Sequence, residues 1–219
     1  MTASVGRARA RIGLLGNPGD LYGGKVLAAT IDAFETVATV TDTVFYAPAS
    51  FQPDVADLQR LAVARVAPSK GAIALGLTTD VPLRSGLSGS SAILLATLRA
   101  LDAHLDLALA PLEMAQIAWH IEREDLGLVA GPQDRVIQAL GGLQYMDFSG
   151  PDDIGVHESL DPDLLPPLLV AWPKEPGTPS GDVHRALWER WSAGDSVLRQ
   201  SLAGFAEIAD TGRQALLER

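Results

Sequence analysis

The chain has 219 residues, 47% of them apolar, and is long enough for one large domain or one domain plus part of a second. With no cysteine, four scattered histidines (His104, His120, His157, His184) and a formal net charge of −10, it excludes a disulfide framework or a thiolate nucleophile and gives no reason to expect a zinc site or a nucleic-acid partner. No run of about 18 apolar residues is present, and MTASVGRARARIGLLG is too short in apolar residues for a secretory signal, so a cytoplasmic location and no membrane partner are expected.

In chain order, ARARIGLLG (8–16) reads as a strand, with Arg7, Arg9 and Arg11 spaced by two along one face. It runs directly into RIGLLGNPGDLYGGKV (11–26), where Gly16, Gly19, Gly23 and Gly24 surround Asn17, Asp20 and Tyr22. Polar side chains on a glycine-rich strand end suit hydroxyl recognition; in a tight connection they satisfy only the turn's own backbone. ETVATVTDTVFYA (35–47) is a second strand, DVADLQRLAVARV (54–66) a helix and GAIALGLTTDV (71–81) a third strand. Strands thus alternate with helices.

Residues 82–101, PLRSGLSGSSAILLATLRAL, carry a Gly/Ser run straight into an apolar helix over 90–105. A flexible linker has no reason to end in a helix. Between Arg84 and Ser91 several backbone N–H groups are free to converge, and the helix adds its own N-terminal N–H groups and positive dipole end. The stretch is therefore an anion site suited to a nucleotide's phosphates, or else a structural turn. It lacks the lysine of a G-x-x-x-x-G-K-[ST] loop and the acidic strand end of a dinucleotide fingerprint. LEMAQIAWHIERED (112–125) is the next helix, with Pro111 at its first turn and His120 on its packing side. Glu122 lies on it, and Asp134 follows twelve residues later, past a glycine-rich bend. Taken alone, such a pair reads as solvated surface.

GGLQYMDFSG (141–150) is a strand or hairpin, after which GPDDIGVHESLDPDLLPP marks the expected boundary between a unit over 1–155 and another over 156–219. PLLVAW (167–172) is expected as a strand and 176–181 as a loop. Two helical patterns then run to Arg219, where the chain ends without a cap, so the second unit is expected to be incomplete.

The order of these stretches resembles the GHMP kinases, the small-molecule kinases named after galactokinase, homoserine kinase, mevalonate kinase and phosphomevalonate kinase. Pro82-x-x-x-Gly86-Leu87-Ser88-Gly89-Ser90-Ser91-Ala92 is similar to their P-x-x-x-G-L-x-S-S-A-A phosphate loop, with one small residue shifted at Ser88–Gly89. RIGLLGNPGDLYGG resembles the family's opening R/K-V-x-L-x-G-E-H-x-D-x-x-G-G, and Glu122…Gly127…Gly131…Asp134 resembles the segment that holds its catalytic aspartate. Within the family, ARIGLLGNPGDLYGGK, GLSGSSAI, GLVAGPQDRVIQALGGLQYMDFS and SGDVHRALWERWSAGD are similar to the glucuronokinase branch over nearly the whole chain.

The resemblance implies an α/β (α+β) fold: a GHMP-kinase-type N-terminal domain over 1–155, then part of a ferredoxin-like α+β domain over 156–219. The chain stops before the family's third glycine-rich motif. ATP and Mg²⁺ are implied as cofactors. Pro82 and the loop Ser85, Gly86, Leu87, Ser88, Gly89, Ser90, Ser91 and Ala92 would hold the triphosphate, and Ser91 and Glu122 would hold Mg²⁺. Asp134 would take the acceptor's proton, with Arg11 steadying the transferring phosphoryl group. Asn17, Asp20, Tyr22 and Gly23 would contact the acceptor, which the resemblance makes a sugar acid, D-glucuronate, phosphorylated at its anomeric hydroxyl. Asn17–Pro18 stands where the family's sugar kinases carry Glu-His, removing a carboxylate that would repel an anionic sugar; Arg84 and Lys25 are the nearest cations to meet it. The plainer readings make Glu122 a partner of Arg123 or an exposed helical charge, Arg11 a strand-face residue and Tyr22 loop packing. The alternatives at the level of function are another sugar or sugar-phosphate kinase of the family, or a module that binds nucleotide or sugar without turnover.

Overall fold

Small residues at every second position let the first strand lie close under a helix. In β1 (Ser4–Leu15) Gly6, Ala8 and Ala10 are buried while Val5, Arg7 and Arg9 are exposed. The computed structural model, which describes residues 3–42, 53–69, 73–82, 84–172 and 180–218, pairs β1 antiparallel with β2 (Lys25–Asp42) from Ser4↔Val40 to Leu15↔Leu27. The other edge of β2 is shared. β3 (Ile73–Thr79) takes Thr36–Asp42, β4 (Leu143–Asp147) takes Lys25–Ala29, and β5 (Val156–Leu160) adds to β4, every pairing antiparallel.

Helices α1 (Pro53–Val66), α2 (Gly89–Leu105), α3 (Pro111–His120) and α4 (Gln133–Leu140) cover one face of this sheet. Val26 and Ala28 of β2 join the core beneath them, whereas Leu27 and Ala29 point to the opposite face and pack with Leu143, Leu160 and Leu216. That second face is covered by α6 (Ser196–Leu217), which follows α5 (Ser180–Ser192). Lys25 Nζ donates to Asp210 at 2.8 Å and Arg213 Nη2 to Glu158 at 2.9 Å, fastening α6 to the sheet. β1 and α2 approach so closely at Gly6 that a Cβ there would lie 2.0 Å from the Ala96 carbonyl oxygen.

The mixed fold class matches the expectation, with differences in its elements. The strand expected from residue 35 begins at Lys25, and residues 43–47 lie outside those described. α4 and β5 form where no helix or strand was expected. The expected strand at 167–172 does not form: Pro166–Pro167 cannot donate to a ladder, and Leu168 and Leu169 stand 53% and 94% exposed. Trp172 instead meets Phe34 edge-on, with ring centroids 5.1 Å apart. Of the loop expected over 176–181, residues 176–179 lie outside those described and the rest begins α5. Among the described residues no helix is long and apolar enough to cross a membrane.

Candidate active site

The chain turns sharply into α2 through Arg84, Gly86 and Ser88, all at positive φ (52°, 78° and 62°), a region that costs a non-glycine residue about 1 kcal/mol or more. Ser88 precedes the first residue of α2 but its side chain does not cap the helix. Its hydroxyl donates to Asp134 Oδ2 at 2.8 Å. The Ser88 carbonyl accepts from Ala92 N, Ser91 Oγ and Gln138 Nε2, and the Leu87 carbonyl accepts from Arg11 N. The turn is thereby stitched to β1 and α4, and the N–H groups opening α2 are left without a side-chain cap, as an anion site requires. Of the expected loop residues, Pro82, Ser85, Gly86, Ser88, Gly89 and Ser90 are exposed or half-buried, whereas Leu87, Ser91 and Ala92 are buried.

Helix α3, expected to run to residue 125, loses its pitch at His120 and widens into a π turn over Ile121–Asp125, an irregularity common at functional sites. The turn carries Glu122 inward to 1% exposure. Glu122 Oε1 accepts from Ser90 Oγ at 2.8 Å, and its other oxygen meets the Arg135 guanidinium. The resemblance implies Ser91 together with Glu122 as the holders of Mg²⁺, and in the structure the two adjacent serines point different ways. Ser90 faces Glu122, while the buried Ser91 hydroxyl turns back to the Ser88 carbonyl at 3.2 Å.

Asp134, in the first turn of α4, pairs through Oδ1 with Arg11 Nη2. Arg7 and Arg9 lie at the surface on Glu35 and Asp32, and the register of β1 against β2 shifts between Arg9 and Ala10. The strand-face reading thus holds for those two arginines, while Arg11 is 8% exposed and turns to Asp134. Burial lowers the Arg135 guanidinium to about 9.

Asn17 and Asp20 are tied together by Gln133. Its Nε2 donates to Asp20 Oδ1 at 2.9 Å and to Asn17 Oδ1, and its backbone N–H donates to Asp20 Oδ2 at 3.2 Å. Burial, aided by the Asp134 charge, raises the Asp20 carboxyl to about 6. Gly131 makes room, since a Cβ there would sit 2.0 Å from Asp20 Oδ2. Gly23 closes the turn Gly19–Tyr22 at φ 70°. The Tyr22 ring packs on Trp188 and Trp191 at 6.0 and 5.7 Å, and its hydroxyl is buried without a partner among the described residues. Lys25, expected to be available to an acid, is engaged by Asp210 at 2.8 Å and faces Asp147 at 3.8 Å. Beside Asp20 opens a cleft of about 390 Å³ lined by Leu21, Trp119, Arg123, Gly131 and Trp188, with the Arg123 guanidinium 4.5 Å above the Trp119 ring.

Sequence reasoning missed Gln133, Arg135 and Gln138, all buried polar residues of α4, together with the aromatic face of α5. Their signal was a polar triplet in a short helix bounded by Pro132 and Gly141.

An uncapped helix start behind a Gly/Ser turn, with an arginine–carboxylate pair at its mouth, is equipped for phosphoryl transfer, and comparison with known proteins assigns the class. The model of the GHMP kinases N terminal domain matches residues 56–142. The chain belongs to the GHMP kinase family. Two Arabidopsis thaliana proteins are similar to it over 97% of this chain and 68% of their own length: Glucuronokinase 1 at 32% identity and Probable glucuronokinase 2 at 34%. Among solved structures, a D-glycero-D-manno-heptose 1-phosphate kinase from Bacteriodes thetaiotaomicron has a TM-score of 0.70 at 23% identity, covering 99% of this chain and 74% of that one.

Proposed function

We propose that this protein transfers the γ-phosphoryl group of ATP to the anomeric hydroxyl of D-glucuronate, giving glucuronate 1-phosphate and ADP. The observation that carries the reading is the Arg11–Asp134 pair at the mouth of the Gly/Ser turn, with the Ser88 hydroxyl on the second carboxylate oxygen. Similarity to the two glucuronokinases over nearly the whole chain supports the sugar acid.

Phosphoryl transfer asks for positioning and charge neutralisation more than covalent help. The turn over 84–91 and the N–H groups opening α2 hold the triphosphate. Asp134 accepts the proton of the acceptor hydroxyl, and Arg11 keeps that carboxylate oriented and stands beside the transferring group. Asn17 and Asp20, fixed by Gln133, meet the acceptor's other hydroxyls together with Tyr22. Arg123, lining the cleft, supplies the cation for the sugar's carboxylate in place of the engaged Lys25. Mg²⁺ fits the oxygens of Ser90 and Glu122, because a buried carboxylate beside a hydroxyl suits a hard cation completed by phosphate oxygens and water. Bound there, it would neutralise triphosphate charge.

The test is competition among D-glucuronate, D-galacturonate, D-galactose and a heptose phosphate. Glucuronate should show the highest kcat/KM, by about tenfold or more. A preference for a neutral sugar or the heptose phosphate would overturn the substrate and leave the family membership untouched.

A further inference from the structure

On α5, His184, Trp188 and Trp191 recur at i, i+4 and i+7 and so share one face of the helix. The two tryptophan rings stack with centroids 5.2 Å apart and hold Tyr22 between α5 and the first loop. Trp188 also lines the cleft beside Asp20. One turn earlier, His184 lies within electrostatic reach of the catalytic pair. Burial holds its imidazole below the ordinary histidine value, while the Asp134 charge acts in the opposite sense and Arg135 and Arg11 reinforce the burial. His184 Nδ1 is buried and has no hydrogen-bond partner among the described residues. An unmatched ring nitrogen in such a place is costly unless a ligand atom completes it. The Tyr22 hydroxyl and Arg11 Nε are likewise buried and unmatched there. Three unmatched polar atoms of different elements around Asp20 and Asp134 suit a molecule with several hydroxyl groups.

We propose that His184 is an acceptor-binding residue, its Nδ1 hydrogen-bonding a hydroxyl of the acceptor sugar and thereby holding that sugar against Asp134. The inference rests on the kinase reading above and adds α5 as a wall of the acceptor site.

The experiment measures, in the full chain, the Kd of D-glucuronate by titration calorimetry and the KM values of sugar and ATP. His184→Ala should raise the Kd and KM for the sugar about tenfold and leave the KM for ATP within about twofold. His184→Asn, whose amide reproduces the Nδ1 position, should recover most of the loss, and His184→Gln, which reaches the Nε2 position, should not. Wild-type sugar affinity in His184→Ala overturns the proposal. So does equal damage in all three variants with a common fall in melting temperature, which would mark a packing role. Asp134→Asn, measured alongside, separates the two readings: retained turnover there defeats the catalytic pair, whereas its loss beside an unaffected His184→Ala defeats only this inference. If the wild type turns over another of the four sugars instead, the same variants are measured with that sugar.

Discussion

Asp134 is held by groups from two other elements, Arg11 of β1 on one oxygen and Ser88 of the turn before α2 on the other. Asp134→Asn preserves the shape and removes the basic oxygen, so kcat should fall by at least about 10²-fold while nucleotide affinity stays nearly unchanged. Steady-state rates and calorimetric titration of the nucleotide check both halves, and full activity would assign the proton to another group. The meeting of Arg11 with Asp134 was implied by the family resemblance of their two segments. The choice between Ser90 and Ser91 was not, because adjacent residues at a helix start point about 100° apart and a motif names both. Gln133 and Arg135 escaped notice for a related reason: in a sequence, a polar side chain aimed into the protein looks the same as one aimed into water, and only the packing of α4 on the first loop and on the π turn separates them.

At the scale of elements, the crossing of α2 over β1 is the tightest constraint. Gly6→Val would drive a side chain into the Ala96 carbonyl and the Ala100 nitrogen, both backbone atoms that cannot swing aside. A loss of about 3 kcal/mol is expected, visible as a lower denaturant midpoint; an unchanged midpoint would mean that the two elements separate without cost. The strands that sequence patterning found are those with one covered face. β2 begins with KVLAAT, whose residues are covered on both faces, by α2 on one side and α6 on the other. Alternation vanishes when both faces are apolar, so residues 27–34 were assigned to no element. PLLVAW produced the opposite error, being apolar enough for a strand but led by two prolines.

For the whole molecule, the proposed division between 1–155 and 156–219 runs between β4 and β5, which are neighbours in one sheet, while α6 returns to cover the second face of that sheet. Limited proteolysis tests the division. Cleavage is expected first in the exposed segments around Gly150–Asp153 or near Trp172, and uniform resistance in both would count against two units. β2 has a further consequence. Its edge at Lys25–Ala29 is completed only by Leu143–Asp147, more than a hundred residues later. A ribosome adding roughly 5–20 residues per second leaves that edge bare for about 6–23 s, and an open apolar edge is a template for pairing with another chain. The newborn polypeptide is therefore open to pairing with another chain along that edge between the synthesis of its second strand and its fourth, and slower translation across that interval is expected to lower the share that reaches the folded state.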